Sequence, residues 1–354
     1  MLGLGIQLAS RDARVAQLHR QLQSIEGEAA IVAAAGDIRR LAFELLEDGE
    51  SAARLTRAIA DLNDALTARV LALAAQRHRL DDIRMCWLAL GSEGRREQTV
   101  HTDQDNAIVF VGGEAERARL LVFADSANRL LDRCGFRWCP GDIMARNPQW
   151  CLSLDQWQAC FSDWIDSGKP QALLHGAIFF DFRGLWGDLG LARALREWLS
   201  AYIAPRPLFL RQMTQNLLQA RPGANGWGRF QLQAVDCQPP DFDIKTAGAG
   251  QFSDVARILA LSRGIPITAT AARLSAWPAQ AHEGDLAESW VEAFHMLQWF
   301  RLRRQLERHA AGRPLDNRID PSRLSRFERR LLRAAFAELR GARHKLAVDY
   351  GLAF

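Results

Sequence analysis

A chain of 354 residues, 48% of them hydrophobic and 24% charged, is long enough to bury more than one core, because single cores stop growing before this length. The formal net charge of +4 is too small for the broad positive field of a nucleic-acid binder. The first residues have no basic segment leading into an apolar one, and no apolar run reaches the length of a membrane span. The expectation is a cytoplasmic protein with neither nucleic acid nor membrane as partner.

Residues 1–80 read as helical, being rich in Ala and Leu with no proline before Pro140. The clearest piece is 51–80, where Leu55, Ile59, Leu62, Leu66, Val70 and Leu73 recur at spacings of three and four and so share one stripe of a long helix. Residues 85–90 (MCWLAL) form a short apolar run that ends at Gly91, as a buried strand does, and 107–111 (AIVFV) form a second. Helical composition over 115–133 precedes a possible third strand at 136–139 and the Pro140-Gly141 turn. A helix is expected over 154–166. For 177–182 (AIFFDF) strand and helix are both open, with a buried helix preferred.

From about Leu191 the pattern is helical again, broken at Pro205 and Pro207 and at 221–228. Apolar positions then trace helices through Leu286, Trp290, Ala293 and Leu297 and through Phe327, Leu331, Phe336 and Leu339. The expected class is α+β: a small mixed-sheet core over 51–200, led by a helical segment at 1–50 and followed by a helical bundle at 205–354. Trp150, Trp157 and Trp164, spaced by seven, are read as core packing. The six cysteines include no C-x-x-C pair and are read as reduced, buried thiols.

The chemistry is concentrated in 91–105, GSEGRREQTVHTDQD. An apolar strand that gives way to Gly-Ser and a polar helical start presents free backbone amides and a hydroxyl, which suits a phosphate. Gly91 would allow close backbone approach, Ser92 would donate its hydroxyl, and Arg95 or Arg96 would offer a forked cation. Asp103 and Asp105, two residues apart, put two carboxylates on one face of an extended segment, where they repel unless a cation such as Mg2+ or Mn2+ lies between them. No G-x-x-x-x-G-K-[ST] is present, which excludes the ATPase type of phosphate loop. Asp181, an acidic residue inside FFDFR, needs a reason to be buried: a metal, or a contact with Arg183 or the backbone. Asp142 is a second candidate acid, with the turn after Pro140 as its bland reading. His101 beside Thr102 suits proton transfer or, as a lone His at a strand entry, a surface position, and Lys245 with Asp241 and Asp243 suits contact with a phosphate or acceptor or, equally, the exposed face of an edge strand.

The run LALGSEGRREQTVHTDQDNAIVF resembles the nucleotidyltransferase module of the DNA polymerase beta superfamily, in particular bacterial proteins related to the N-terminal domain of PII uridylyltransferase. Their G-S, G-R-x-E and T-D-x-D pattern falls on Gly91, Ser92, Gly94, Arg95, Glu97, Thr102, Asp103 and Asp105. The resemblance continues through 139–150, 177–188, 242–248, 255–265 and 301–306 into a C-terminal segment assigned to substrate binding in the family. It implies transfer of a nucleoside monophosphate from a nucleoside triphosphate to a hydroxyl acceptor, such as a PII-like regulatory protein. By the same resemblance Asp103 and Asp105 hold the metal, a third catalytic carboxylate comes from another element, with Asp181 preferred and Asp142 the second candidate, and Gly91, Ser92, Arg95, Glu97 and Thr102 bind nucleotide. The alternative is a nucleotide sensor without transferase activity, which would have no need of the paired carboxylates.

Overall fold

The structure, a computed structural model, describes residues 2–219, 241–278 and 281–354; the expected break at 221–228 and Cys237 lie outside the described residues. It divides into two compact units, one of Met1–Ala159 with Asp181–Leu195 and the other of Cys160–Phe180 with Arg196–Phe354. No helix among the described residues is long and apolar enough to cross a membrane.

The first unit opens with three helices, α1 (Leu2–Ser24), α2 (Glu28–Glu47) and α3 (Ala52–His78). Ser51 caps α3 by accepting the amide of Arg54 at 3.3 Å, and the left-handed Arg79 ends it. The buried stripe of α3 contains Leu55, Ile59, Leu62, Leu66 and Val70, but turns to Leu71 and Ala74, leaving Leu73 half-buried. A stripe with a 3.6-residue period drifts around a long helix, which is why the last expected position misses.

The sheet is mixed and has the order β3-β2-β1-β4. β1 (Met85–Ala89) pairs antiparallel with β2 (Asn106–Phe110), Leu88 opposite Ala107, and on its other side antiparallel with β4 (Arg183–Gly187). β2 also pairs in parallel with β3 (Cys151–Ser153). Every residue of β1 and β2 is buried, as the apolar runs Met85–Ala89 and Ala107–Phe110 require of central strands, with Asn106 the one polar residue in them. Between β1 and β2 the chain makes a single helical turn, α4 (Gly91–Gly94), and α5 (Glu114–Arg133) follows β2 and packs on α3.

Two local expectations are corrected. The third strand is not 136–139 but β3: Arg137 makes one isolated bridge to Asp103, and no ladder follows. The helix expected through 177–182 is α7 (Pro170–Phe179), which stops short of Asp181. Trp150, Trp157 and Trp164 are buried, with Trp157 donating its indole N–H to the Ile108 carbonyl at 2.9 Å.

The second unit is helical, as expected, with a small added ladder. α9 (Pro207–Gln219), α10 (Gly250–Ser262), α11 (Thr270–Ala276), α12 (Ala281–Ala310) and α13 (Arg326–Asp349) supply the bundle. α12 packs along α13, and α10 touches α9, α11 and α13. β5 (Phe242–Asp243) and β6 (Arg318–Ile319) pair antiparallel, and Asp241 beside this ladder is held by Arg318. Two helices bridge the unit limits in sequence, α6 (Leu154–Ser167) and α8 (Leu189–Ile203).

Candidate active site

α4 begins at the residue after β1, so the first amides of its single turn have no carbonyl one turn earlier within the helix. Gly91 lies at φ 51°, in the left-handed region, and a Cβ there would stand 2.7 Å from a carboxylate oxygen of Asp105. Only glycine therefore lets this backbone come against that carboxylate. The loop is closed by the Leu90 amide, which donates to the Asp105 carbonyl at 2.9 Å. Ser92 is partly exposed beside Gly91. Gly91 and the second aspartate thus meet at the mouth of the β1–β2 connection.

The extended segment 102–106 alternates. Thr102, Gln104 and Asn106 are buried, whereas Asp103 and Asp105 are partly exposed, so the two carboxylates share the open face, as their spacing predicts. The strand itself starts only at Asn106. What fixes the segment is an amide ladder on the buried face. The Asn128 side-chain N–H2 donates to Gln104 Oε1 at 2.8 Å and to Asn106 Oδ1 at 3.0 Å. Gln104 donates in turn to the Asn128 and Phe136 carbonyls, both at 3.0 Å, and Asn106 Oδ1 also accepts the Ala145 amide at 2.8 Å. Asn128 lies on α5, and sequence reasoning did not single it out. Asn128→Ala strands polar atoms of both neighbours, which are buried, at a cost of about 1–3 kcal/mol or more. A drop in urea midpoint of that order, together with weakened metal-dependent activity, is the expected outcome; an unchanged midpoint would show that the ladder does not hold the segment.

The remaining predicted residues divide into two groups. Arg95, Glu97 and Asp181 form an internal cluster. Arg95 donates from Nε to Glu97 at 2.9 Å and from Nη1 to Asp181 at 2.7 Å, and Asp181 is fully buried. Arg183 instead reaches Asp64 at 2.8 Å and the Glu93 carbonyl at 3.2 Å. Gly94 packs its Cα directly on the Asp181 carbonyl, where a Cβ would be 2.2 Å away. Arg96 is exposed at φ 56° and faces Asp61 and Asp64. Thr102 lies on the other side of the segment, lining a small cavity with Arg39, Asn63, Leu66 and Phe136. His101 is half-buried, its carbonyl accepting from Thr99.

Two groups beside the carboxylates were not foreseen. The Cys139 thiol donates to Asp105, and burial followed by that negative charge pushes it up to about 11, so it stays protonated as a donor. Glu93 in α4 is buried, and desolvation, then Asp64, pushes its carboxyl from 4.5 up to about 8, with Arg183 opposing and Asp105 adding to the rise. The folded protein therefore holds this proton more tightly than the unfolded chain. The stability it contributes is complete below about pH 4.5 and is lost as pH rises through about 8. Glu93→Gln should flatten the stability profile between those values and leave the variant the more stable form at pH 8; parallel profiles in thermal unfolding would refute the assignment. Asp142, the other acid considered, is exposed at φ 51° in a turn where its carbonyl accepts from Trp150 and Asn147.

Among the described residues no three or more His, Cys, Asp and Glu side chains gather into a metal-holding cluster. The open face offers the two carboxylates of Asp103 and Asp105. Such a hard oxygen pair fits magnesium or manganese, which take one or two protein carboxylates and complete their shell with water and phosphate oxygens.

Residues 36–171 match the family described as Putative nucleotidyltransferase DUF294. Residues 207–350 match its companion, the Putative nucleotidyltransferase substrate binding domain. The chain belongs to the DUF294 nucleotidyltransferase family. The first match spans the whole of 91–105, with both aspartates and the Asn128 ladder, while Asp181 falls between the two matched segments. No curated protein matches the chain.

Proposed function

We propose that the protein transfers a nucleoside monophosphate from a nucleoside triphosphate to a hydroxyl acceptor, with the chemistry at the open face of 91–105. The observation that carries this reading is the meeting of Gly91 with the Asp105 carboxylate at the loop mouth. A phosphate received by the α4 backbone lies next to the carboxylate pair in such a loop, and the family membership points to the same reaction class.

In this reading Gly91 and Ser92 receive the triphosphate, and Asp103 and Asp105 hold Mg2+ or Mn2+. The bound ion supplies Lewis acidity, lowering the pKa of the acceptor hydroxyl and offsetting charge on the departing pyrophosphate. Arg95 acts from behind: its donors hold Glu97 and Asp181, so it fixes α4 against the start of β4. Asp181, buried under that contact, is assigned a positioning role through Arg95. Glu93, largely protonated at neutral pH, adds little to the negative charge around Asp105.

The test is pyrophosphate release by the purified full chain with each of the four nucleoside triphosphates and Mg2+ or Mn2+, in the presence of candidate hydroxyl and protein acceptors. Metal-dependent release with label passing to the acceptor is the expected result. Triphosphate binding without turnover on any acceptor, and equal binding in Asp103→Asn, would replace the transferase by a sensor.

A further inference from the structure

α13 carries its charge in an unusual place. The helix buries Leu332, Ala335, Leu339, Ala342, Leu346 and Ala347 on one face. On the opposite face Arg326, Arg330, Arg333, Ala337, Arg340 and His344 are all exposed. At 100° per residue these six positions fall within about 40° of one line, and at 1.5 Å per residue Arg326 and Arg340 lie about 21 Å apart along it. The row is single file.

Several other arginines of this unit are matched by acids. Arg303 meets Glu307 and Glu328, Arg304 and Arg308 meet Asp316, Arg318 meets Asp241, and Arg323 meets Asp320. Among the described residues Arg326, Arg329, Arg330, Arg333 and Arg340 have no such carboxylate. Arg326 and Arg330, Arg329 and Arg333, and Arg330 and Arg333 are like charges at helical spacings of three or four, which destabilises an isolated helix. Arg326, Arg329 and Arg330 also crowd the helix N-terminus, the end where the backbone dipole disfavours cations. The helix holds because Ser325 and Glu328 form a capping box and its other face is packed. A charge array that works against its own helix is explained by a binding partner.

We propose that this arginine row docks an acidic segment of a protein, and that this protein is the acceptor; the second clause rests on the transferase reading above and on the family description of residues 207–350 as substrate binding. Guanidinium forks pair with carboxylates, and acids spaced by three and four on a facing helix meet cations with the same spacing. Ala334, Ala337 and Gly341, all exposed among the arginines, leave room for a second helix to lie close. Phe327, 67% exposed at the start of the row, offers an apolar anchor. A nucleic acid would call for a broader basic surface than a chain of net charge +4 provides. An anionic membrane is disfavoured because the apolar face of α13 is spent on the bundle, leaving only single exposed side chains such as Phe327 and Val348 to insert.

The experiment uses the full chain and three fluorescein-labelled probes in anisotropy: a helical peptide with Glu at spacings of three and four, its Gln counterpart, and a single-stranded oligonucleotide. Phosphatidylserine vesicles are tested by co-sedimentation. The acidic peptide should bind about tenfold more tightly than the Gln peptide, and Arg330→Glu/Arg333→Glu should lose about that factor, while Arg330→Lys/Arg333→Lys keeps most of it. Both positions are exposed, so unchanged thermal unfolding is expected and is checked in parallel. Equal binding by the wild type and the Glu variant, or tighter binding of the oligonucleotide or the vesicles, overturns the proposal. Pyrophosphate release with candidate hydroxyl acceptors present is read separately on the same proteins: its absence with every acceptor would sink the transferase reading, while loss of peptide binding alone would sink only the docking row.

Discussion

Asp103→Asn and Asp105→Asn should each lower metal-dependent pyrophosphate release by about 10^3-fold, since a bound ion contributes several kcal/mol of transition-state stabilisation and each 1.36 kcal/mol is a factor of ten. Neither change should unfold the protein. Both side chains are partly exposed, and the segment is held from its buried face by Gln104, Asn106 and Asn128. Removing one of two neighbouring negative charges even relieves repulsion in the metal-free protein. The pair of measurements, steady-state release and urea midpoint, thus separates a catalytic carboxylate from a structural one. Release retained within a few-fold in both variants would remove the basis for placing metal and triphosphate on this face.

Gly94→Ala should do the opposite and act through the fold. A Cβ at 94 would stand 2.2 Å from the Asp181 carbonyl and 2.8 Å from that of Ala89. Both are backbone atoms flanking the β1–β4 pair, so neither can swing aside. Overpacking of this kind costs about 1–3 kcal/mol, and here the upper end applies. It also pushes α4 away from the clamp that Arg95 makes on Asp181. Gly91→Ala is the informative contrast. Its new methyl meets the Asp105 carboxylate, a side chain that can rotate, but an alanine at φ 51° also carries left-handed backbone strain of about 1–2 kcal/mol, so this variant should lose activity together with part of its stability. Equal urea midpoints for Gly94→Ala and wild type would mean that the contact relaxes without effect.

The parts of the site legible in the sequence are those set by local spacing. Gly-Ser after an apolar run and two aspartates two residues apart lie within one loop, and alternation alone predicts that Asp103 and Asp105 face the same way. The parts missed depend on pairing across the chain. Arg95 and Asp181 are 86 residues apart and Asn128 lies 24 beyond Gln104, and no periodicity in either stretch announces such a meeting. Asp181 was recognised as a buried acid that needs a partner, yet the nearest arginine in sequence, Arg183, goes to Asp64. The misplaced third strand has a similar cause. Residues 136–139 are extended and apolar enough, but Arg137 finds a single partner in Asp103, while Cys151–Ser153 finds a full register beside β2. In the C-terminal half the composition announced helices, and the arginine row of α13 became visible only once its buried face was known.

The Leu90 to Asp105 hydrogen bond that closes the loop has a kinetic side. Strands β1 and β2 are neighbours both in sequence and in space, and the pairing that closes this loop joins residues no more than 25 apart, as Met85 is from Phe110; contacts of such short sequence separation form early in folding. The 91–105 loop should therefore acquire its shape before the more distant β4 joins the other edge of β1. In pulsed hydrogen exchange during refolding, the Leu90 amide should gain protection ahead of Asp188, whose amide bonds Met85 only after β4 docks. In such an order the 91–105 loop is in place before the clamp of Arg95 on Asp181 tightens behind it.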